Sequence, residues 1–144
     1  MKTIIALLDF SDVTPKIITQ AQKLAEAFQS HVILLHGMSK QPSVTDVGVA
    51  SPTVYAEPTK ESIEADFGKL DRIGKPLTEA GIKVSLLELR EPSAEHIAQT
   101  AQRHKADLII VGSHHHSAFY NLLVGSVTSD IQKSATCPVL VVPS

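Results

Sequence analysis

The chain has 144 residues, 13 of them basic and 15 acidic, with a formal net charge of −2 and one cysteine, Cys137. That length suits a single domain, read as residues 1–144, while charge spread without a basic stripe excludes a nucleic-acid-backbone binder. One cysteine excludes an internal disulfide framework and suits a reducing compartment. Asp9 cuts the first apolar run too early for a signal peptide, and no run approaches the roughly 20 apolar residues of a membrane span. A cytoplasmic protein with neither nucleic acid nor membrane as partner is the expectation.

In chain order, TIIALLDF is a short apolar run rich in β-branched residues, as expected of a strand covered on both faces. Ser11-Asp12 with Pro15 behind it predicts a helix start. Ile17, Ile18, Ala21, Leu24, Ala25 and Phe28 then fall on one helical face. HVILLHGM reads as a second buried strand. Lys40 to Pro58 is polar, proline-punctuated and lightly charged, and predicts a long loop, either functional or a plain connection. Ile63, Phe67, Leu70, Ile73 and Leu77 predict a helix through Lys60–Ala80, weakened by Gly68 and Gly74 and kinked or shortened by Pro76. KVSLLEL is a third strand. A helix opening at Pro92-Ser93 follows, with Ala94, Ile97, Ala98 and Ala101 inward. ADLIIVGS is the fourth strand, Leu123, Val127 and Ile131 space a last helix, and CPVLVVP is the fifth strand.

Alternating strands and helices predict an α/β fold: a doubly wound, five-stranded parallel sheet with helices on both faces. In order 3-2-1-4-5 the first and fourth strands are neighbours, so Asp9 and the loop starting at Gly112 wall one crevice at the strands' carboxyl ends, where ligands bind in such sheets. The stretch VGSHHHSAFYNLLVGSVTSDI follows the fourth strand. Gly112 admits a close backbone approach, and Gly125-Ser126 open a helix whose free N–H groups suit an anion. The Ser126 hydroxyl can donate to phosphate or cap the helix. Asp9 can accept from ribose hydroxyls or an adenine amine, or serve as a turn residue.

LLDFSD after the first strand, VILLHG in the second, and GSVTSDI followed by PVLVV at the end resemble the universal stress protein family over essentially the whole chain. The nucleotide-binding branch of that family carries Gly, two residues, Gly, nine residues, Gly, then Ser or Thr. Gly112 matches the first position and Gly125-Ser126 the last pair, while His115 stands at the second glycine. The resemblance implies that Asp9 contacts the ribose or adenine and that the backbone at Gly37 and Val111 lines the base. Gly112, His114, Gly125, Ser126 and Val127 then surround the phosphates of ATP or another adenine nucleotide, with Mg2+ as an optional companion. A side chain at 115 costs on the order of 1–2 kcal/mol if the backbone there is left-handed. His114 and His115 can repay this by donating to phosphate, which predicts tighter binding below about pH 7.

Three adjacent histidines cannot all face one ion in a regular element, and no residues stand at a zinc spacing, so no metal site is expected. His96 and His104 are expected at the surface, and His36 as a satisfied core or pocket-edge residue. No Walker, Rossmann or nucleophile-elbow motif is present, and no lysine sits in the phosphate loop, so ATP hydrolysis is slow at most and no catalytic residue is assigned. The alternative is a dimeric protein-interaction module of the same fold that binds no nucleotide. Both readings predict a homodimer through the apolar edge strand Val139–Val142.

Overall fold

The computed structural model describes residues 1–38, 41–43, 54–90, 92–113 and 133–144. The five apolar runs are five strands: β1 (Thr3–Leu8), β2 (His31–Met38), β5 (Val84–Arg90), β6 (Leu108–Gly112) and β7 (Val139–Val142). They form one parallel sheet in the order β5-β2-β1-β6-β7, which is 3-2-1-4-5 when its strands are numbered along the chain. Among the described residues two further strands, β3 (Gln41–Ser43) and β4 (Val54–Ala56), pair antiparallel on their own. This hairpin lies inside the segment expected to be loop. Val54-Tyr55 supplies strand-favouring residues, and Pro42 is tolerated because a two-stranded ribbon has only edges.

Side chains alternate across the central strands, so each face has its own core. Ile4, Ala6, Leu8, Val32, Leu34 and Ile110 meet α1 (Thr14–Phe28) and α2 (Lys60–Glu79). Ile5, Leu7, Ile33, Leu35, Ile109 and Val111 meet Ile97 and Ala101 of α3 (Ala94–Arg103). The near-continuous apolar strands follow from this two-sided burial.

The helices depart from expectation in three places. The residue capping α1 is Val13, with no side-chain cap, because the Asp9-Ser11 pair folds into its own turn. Phe28, at the end of the apolar face of α1, is 54 % exposed, and Phe67 of α2 is likewise exposed. Pro76 neither breaks nor shortens α2, which runs on to Glu79. The proline sits in the last turn, where only one carbonyl partner is lost, and buried Leu70, Gly74 and Leu77 hold the helix to the sheet. Gly81 (φ +82°) then closes the end: its N–H donates to the Thr78 carbonyl and the Ile82 N–H to the Leu77 carbonyl. Gly74 is a packing residue, since a Cβ there would lie 3.1 Å from Leu34 Cδ1. Ser93 caps α3 as its sequence suggests, its hydroxyl accepting from the His96 N–H at 3.1 Å. His96 and His104 are exposed.

Candidate functional site at the carboxyl ends of the strands

The chain leaves β1, moves outward to β2 and β5, then crosses back to β6 on the other side of β1. The direction of winding reverses between β1 and β6. Their ladder ends with Ala6 opposite Ile110, short of both strand ends, so a crevice begins there. Asp9 follows β1, Val111 and Gly112 close β6, and Gly37 lies near the end of β2, in register with Leu89. These four predicted residues thus stand at the carboxyl ends of three consecutive strands. His114, His115, Gly125, Ser126 and Val127 lie outside the described residues.

Two of these residues have local duties. Asp9 is half-buried; its Oδ1 accepts from the Ser11 hydroxyl at 2.6 Å and from the Ser11 N–H at 3.1 Å. Oδ1 thus fills the turn role foreseen for Asp9, and Oδ2 is the oxygen left for the other, accepting from a ribose hydroxyl or an adenine amine. Gly112 is required by packing. A Cβ there would lie 2.9 Å from Val13 Cγ1 and 3.3 Å from Ile17 Cδ1, so its bare side faces the start of α1. The next amide, of Ser113, donates to the Val142 carbonyl at 2.9 Å and extends the β6–β7 ladder. An adenine nucleotide fits what remains: a carboxylate oxygen able to accept from a hydroxyl or amine, at a switch-point crevice.

Beside the crevice, on the α1/α2 face, lies a polar cluster that the sequence did not disclose. His36 and Glu88 are register partners on β2 and β5 and point to the same side. The His36 ring is stacked on Phe10, centroids 4.2 Å apart, and Lys69 Nζ lies 5.4 Å from the Phe10 centroid. Phe10 holds a left-handed backbone (φ +59°), which a side chain adopts at a cost. His36 is only 7 % exposed, yet among the described residues its Nδ1 has no hydrogen-bond partner, and Glu88 Oε1 and Thr14 Oγ1 are likewise buried and unpartnered there. Of the two expectations for His36, a satisfied core residue or a pocket-edge one, the unmatched Nδ1 leaves the pocket edge. Burial pushes its pKa below the ordinary value against the pull of Asp66 and Asp9. Burial, helped by Asp66, pushes the Glu88 carboxyl up.

Elsewhere the chemistry is quiet. No group of three His, Cys, Asp or Glu residues among the described ones is placed to hold a metal ion, and no described helix is long and apolar enough to cross a membrane. Burial raises the Cys137 thiol pKa, which makes it a poor nucleophile.

Comparison with known proteins places this geometry in a wider group. The model of the universal stress protein family matches residues 1–143. Universal stress protein MJ0531 of Methanocaldococcus jannaschii is 30 % identical over 141 residues, covering 98 % of this chain and 81 % of that protein. Two solved structures share the fold. A universal stress protein in complex with cAMP has a TM-score of 0.65 at 18 % identity, covering 99 % of this chain and 96 % of that one. The universal stress protein from Archaeoglobus fulgidus in complex with dAMP has a TM-score of 0.64 at 19 % identity, covering 98 % and 96 %.

Proposed function

The chain belongs to the universal stress protein family, and from that premise we propose that it is an adenine-nucleotide-binding regulatory module. It acts as a homodimer in the cytoplasm without efficient catalysis. The observation that supports this reading is the crevice at the reversal of winding, with Asp9, Gly37, Val111 and Gly112 at the ends of neighbouring strands, in a family with solved members in complex with cAMP and dAMP. ATP is the proposed ligand, with Mg2+ optional. Asp9 Oδ2 accepts from the ribose or adenine, and the backbone at Gly37 and Val111 lines the base. His114, His115, Gly125, Ser126 and Val127 hold the phosphates. The chain contributes positioning and charge; with no lysine in the phosphate loop, it lacks the fixed lysine cation that phosphoryl transfer commonly uses.

Support for the dimer comes from β7. It pairs with β6 on one side, and at the sheet edge it exposes Leu140 and Val141. An apolar edge of this kind is one that proteins normally cover. Val141→Lys is expected to turn dimer into monomer in sedimentation at micromolar concentration; a native protein that is already monomeric there would refute the interface.

A second reading, a dimeric interaction module without nucleotide, is favoured by one observation: His115 at the glycine position of the phosphate motif. Calorimetric titration of nucleotide-stripped protein with ATP and Mg2+ separates the two. Saturable binding near one per chain is expected, tightening below about pH 7 as the loop imidazoles gain protons. Absence of heat, with no adenine nucleotide released from freshly purified protein, would favour the interaction module.

A further inference from the structure

We propose that a second ligand site lies between the start of α1 and the middle of α2, and that it takes a small oxyanion carrying an apolar body, such as an aryl phosphate or aryl carboxylate. A cavity of about 350 Å³ opens there, within the size range of small-molecule pockets. Its wall is apolar at Phe10, Pro15 and Ile73, and its charged lining groups, Lys69 and Arg72, are both cations. Lys69, Arg72 and Ile73 share the cavity because they recur at helical spacing along α2.

The feature that points to a ligand is Thr14. It lines the same cavity and is 6 % exposed, yet its hydroxyl is buried without a hydrogen-bond partner among the described residues. Natural proteins rarely leave such a group unmatched, and a bound anion is one way of matching it. Thr14 is also the first residue of α1, a helix of 15 residues, so the positive end of the helix dipole adds to the two cations. Arg72 uses its Nε to donate to the Gly68 carbonyl at 3.2 Å. Among the described residues, its terminal nitrogens carry no bond that would compete with an oxyanion.

This site differs from the crevice in position. It sits on the α1/α2 face, whereas Val111 packs on the α3 face and Gly112 is shielded from the cavity side by Val13 and Ile17. Its ligand has a place for an aromatic or aliphatic body on the apolar wall of Phe10, Pro15 and Ile73, where the Phe10 ring is stacked on His36 and lies 5.4 Å from Lys69 Nζ.

Titration of phenyl phosphate into the isotope-labelled full-length chain, followed by amide chemical shifts, tests the proposal. Saturable shifts at Ser11, Thr14, Lys69 and Arg72 are expected. Thr14→Val should weaken binding by about tenfold, and Lys69→Gln with Arg72→Gln by more, with dispersed spectra showing that both variants fold. Phenol and inorganic phosphate should each bind far more weakly than phenyl phosphate. Shifts confined to the crevice loops, shifts that never saturate, equal binding of inorganic phosphate, or affinity indifferent to these substitutions would each overturn it.

Discussion

The two histidines of β2 sit five residues apart at opposite ends of the same strand, and their surroundings differ in kind. At the amino end, His31 Nε2 shares a hydrogen bond of 2.8 Å with Ser85 Oγ. Around it the Asp107 carboxylate accepts from the Lys2 and Thr3 amides, and the Ser30 hydroxyl donates to the Met1 carbonyl. At the carboxyl end, His36 Nδ1, Glu88 Oε1 and Thr14 Oγ1 are buried with no partner among the described residues. At the one end these polar groups are matched; at the other, buried polar groups are left unmatched among the described residues. A protein keeps such groups where they do something else, and the carboxyl end is where an open α/β sheet binds ligands.

Five substitutions break or sharpen this contrast, from the largest effect to the smallest. Gly112→Val should cost about 1–3 kcal/mol in denaturant unfolding, because its Cβ and both methyls must displace Val13 and Ile17. Gly68→Ala, where an added Cβ meets nothing within 4 Å, should instead stabilise by about 1 kcal/mol. The same change at the two ends of β2 should have opposite signs. His31→Phe removes a made hydrogen bond and should cost about 1 kcal/mol. His36→Phe keeps the stack on Phe10, removes an unmatched nitrogen and should gain about as much. Equal losses at both sites would break the contrast. Thr14→Val should leave stability unchanged or raise it slightly.

The pH dependence carries the same signature. The pKa values of both β2 histidines are lowered by burial from an ordinary value of 6.5. As pH falls through that value the unfolded chain takes up protons that the folded chain refuses, so stability is full above about pH 6.5 and declines on acidification. Glu88, raised by burial from 4.5, acts the other way: its contribution is full below that pH and is lost as pH rises through its folded value. His36→Phe should flatten the acid-side decline in a pH series of unfolding midpoints. Glu88→Gln should steepen it by removing the opposing trend.

Much of the fold was legible because two-sided burial writes an unbroken apolar run, and five such runs stand out. HVILLHGM is a strand over its whole length. The β3–β4 hairpin was not legible, since Pro42 and the polar residues around it read as loop. The start of α1 misled because Ser11, a good cap by type, is held by the Asp9 carboxylate. At the site, the sequence put Asp9, Gly37, Val111 and Gly112 at strand ends, where they do lie, but gave Gly112 a ligand-facing reason, where the nearest atoms are those of α1. The His36–Glu88 pair was hidden because Glu88 sits within LLEL, and only the β2–β5 register brings it beside His36. Phe10 carried one overlooked signal, an aromatic ring directly after the carboxylate that ends the first strand.

Amide hydrogen exchange of the stripped protein, with and without saturating ATP, tests the difference between the two ends most directly. Added protection is predicted in peptides covering Asp9, Gly37 and the Val111–Val127 stretch, with exchange unchanged at Lys2, His31 and Asp107. Protection centred on the amino end, or none anywhere, would contradict a ligand-binding carboxyl end.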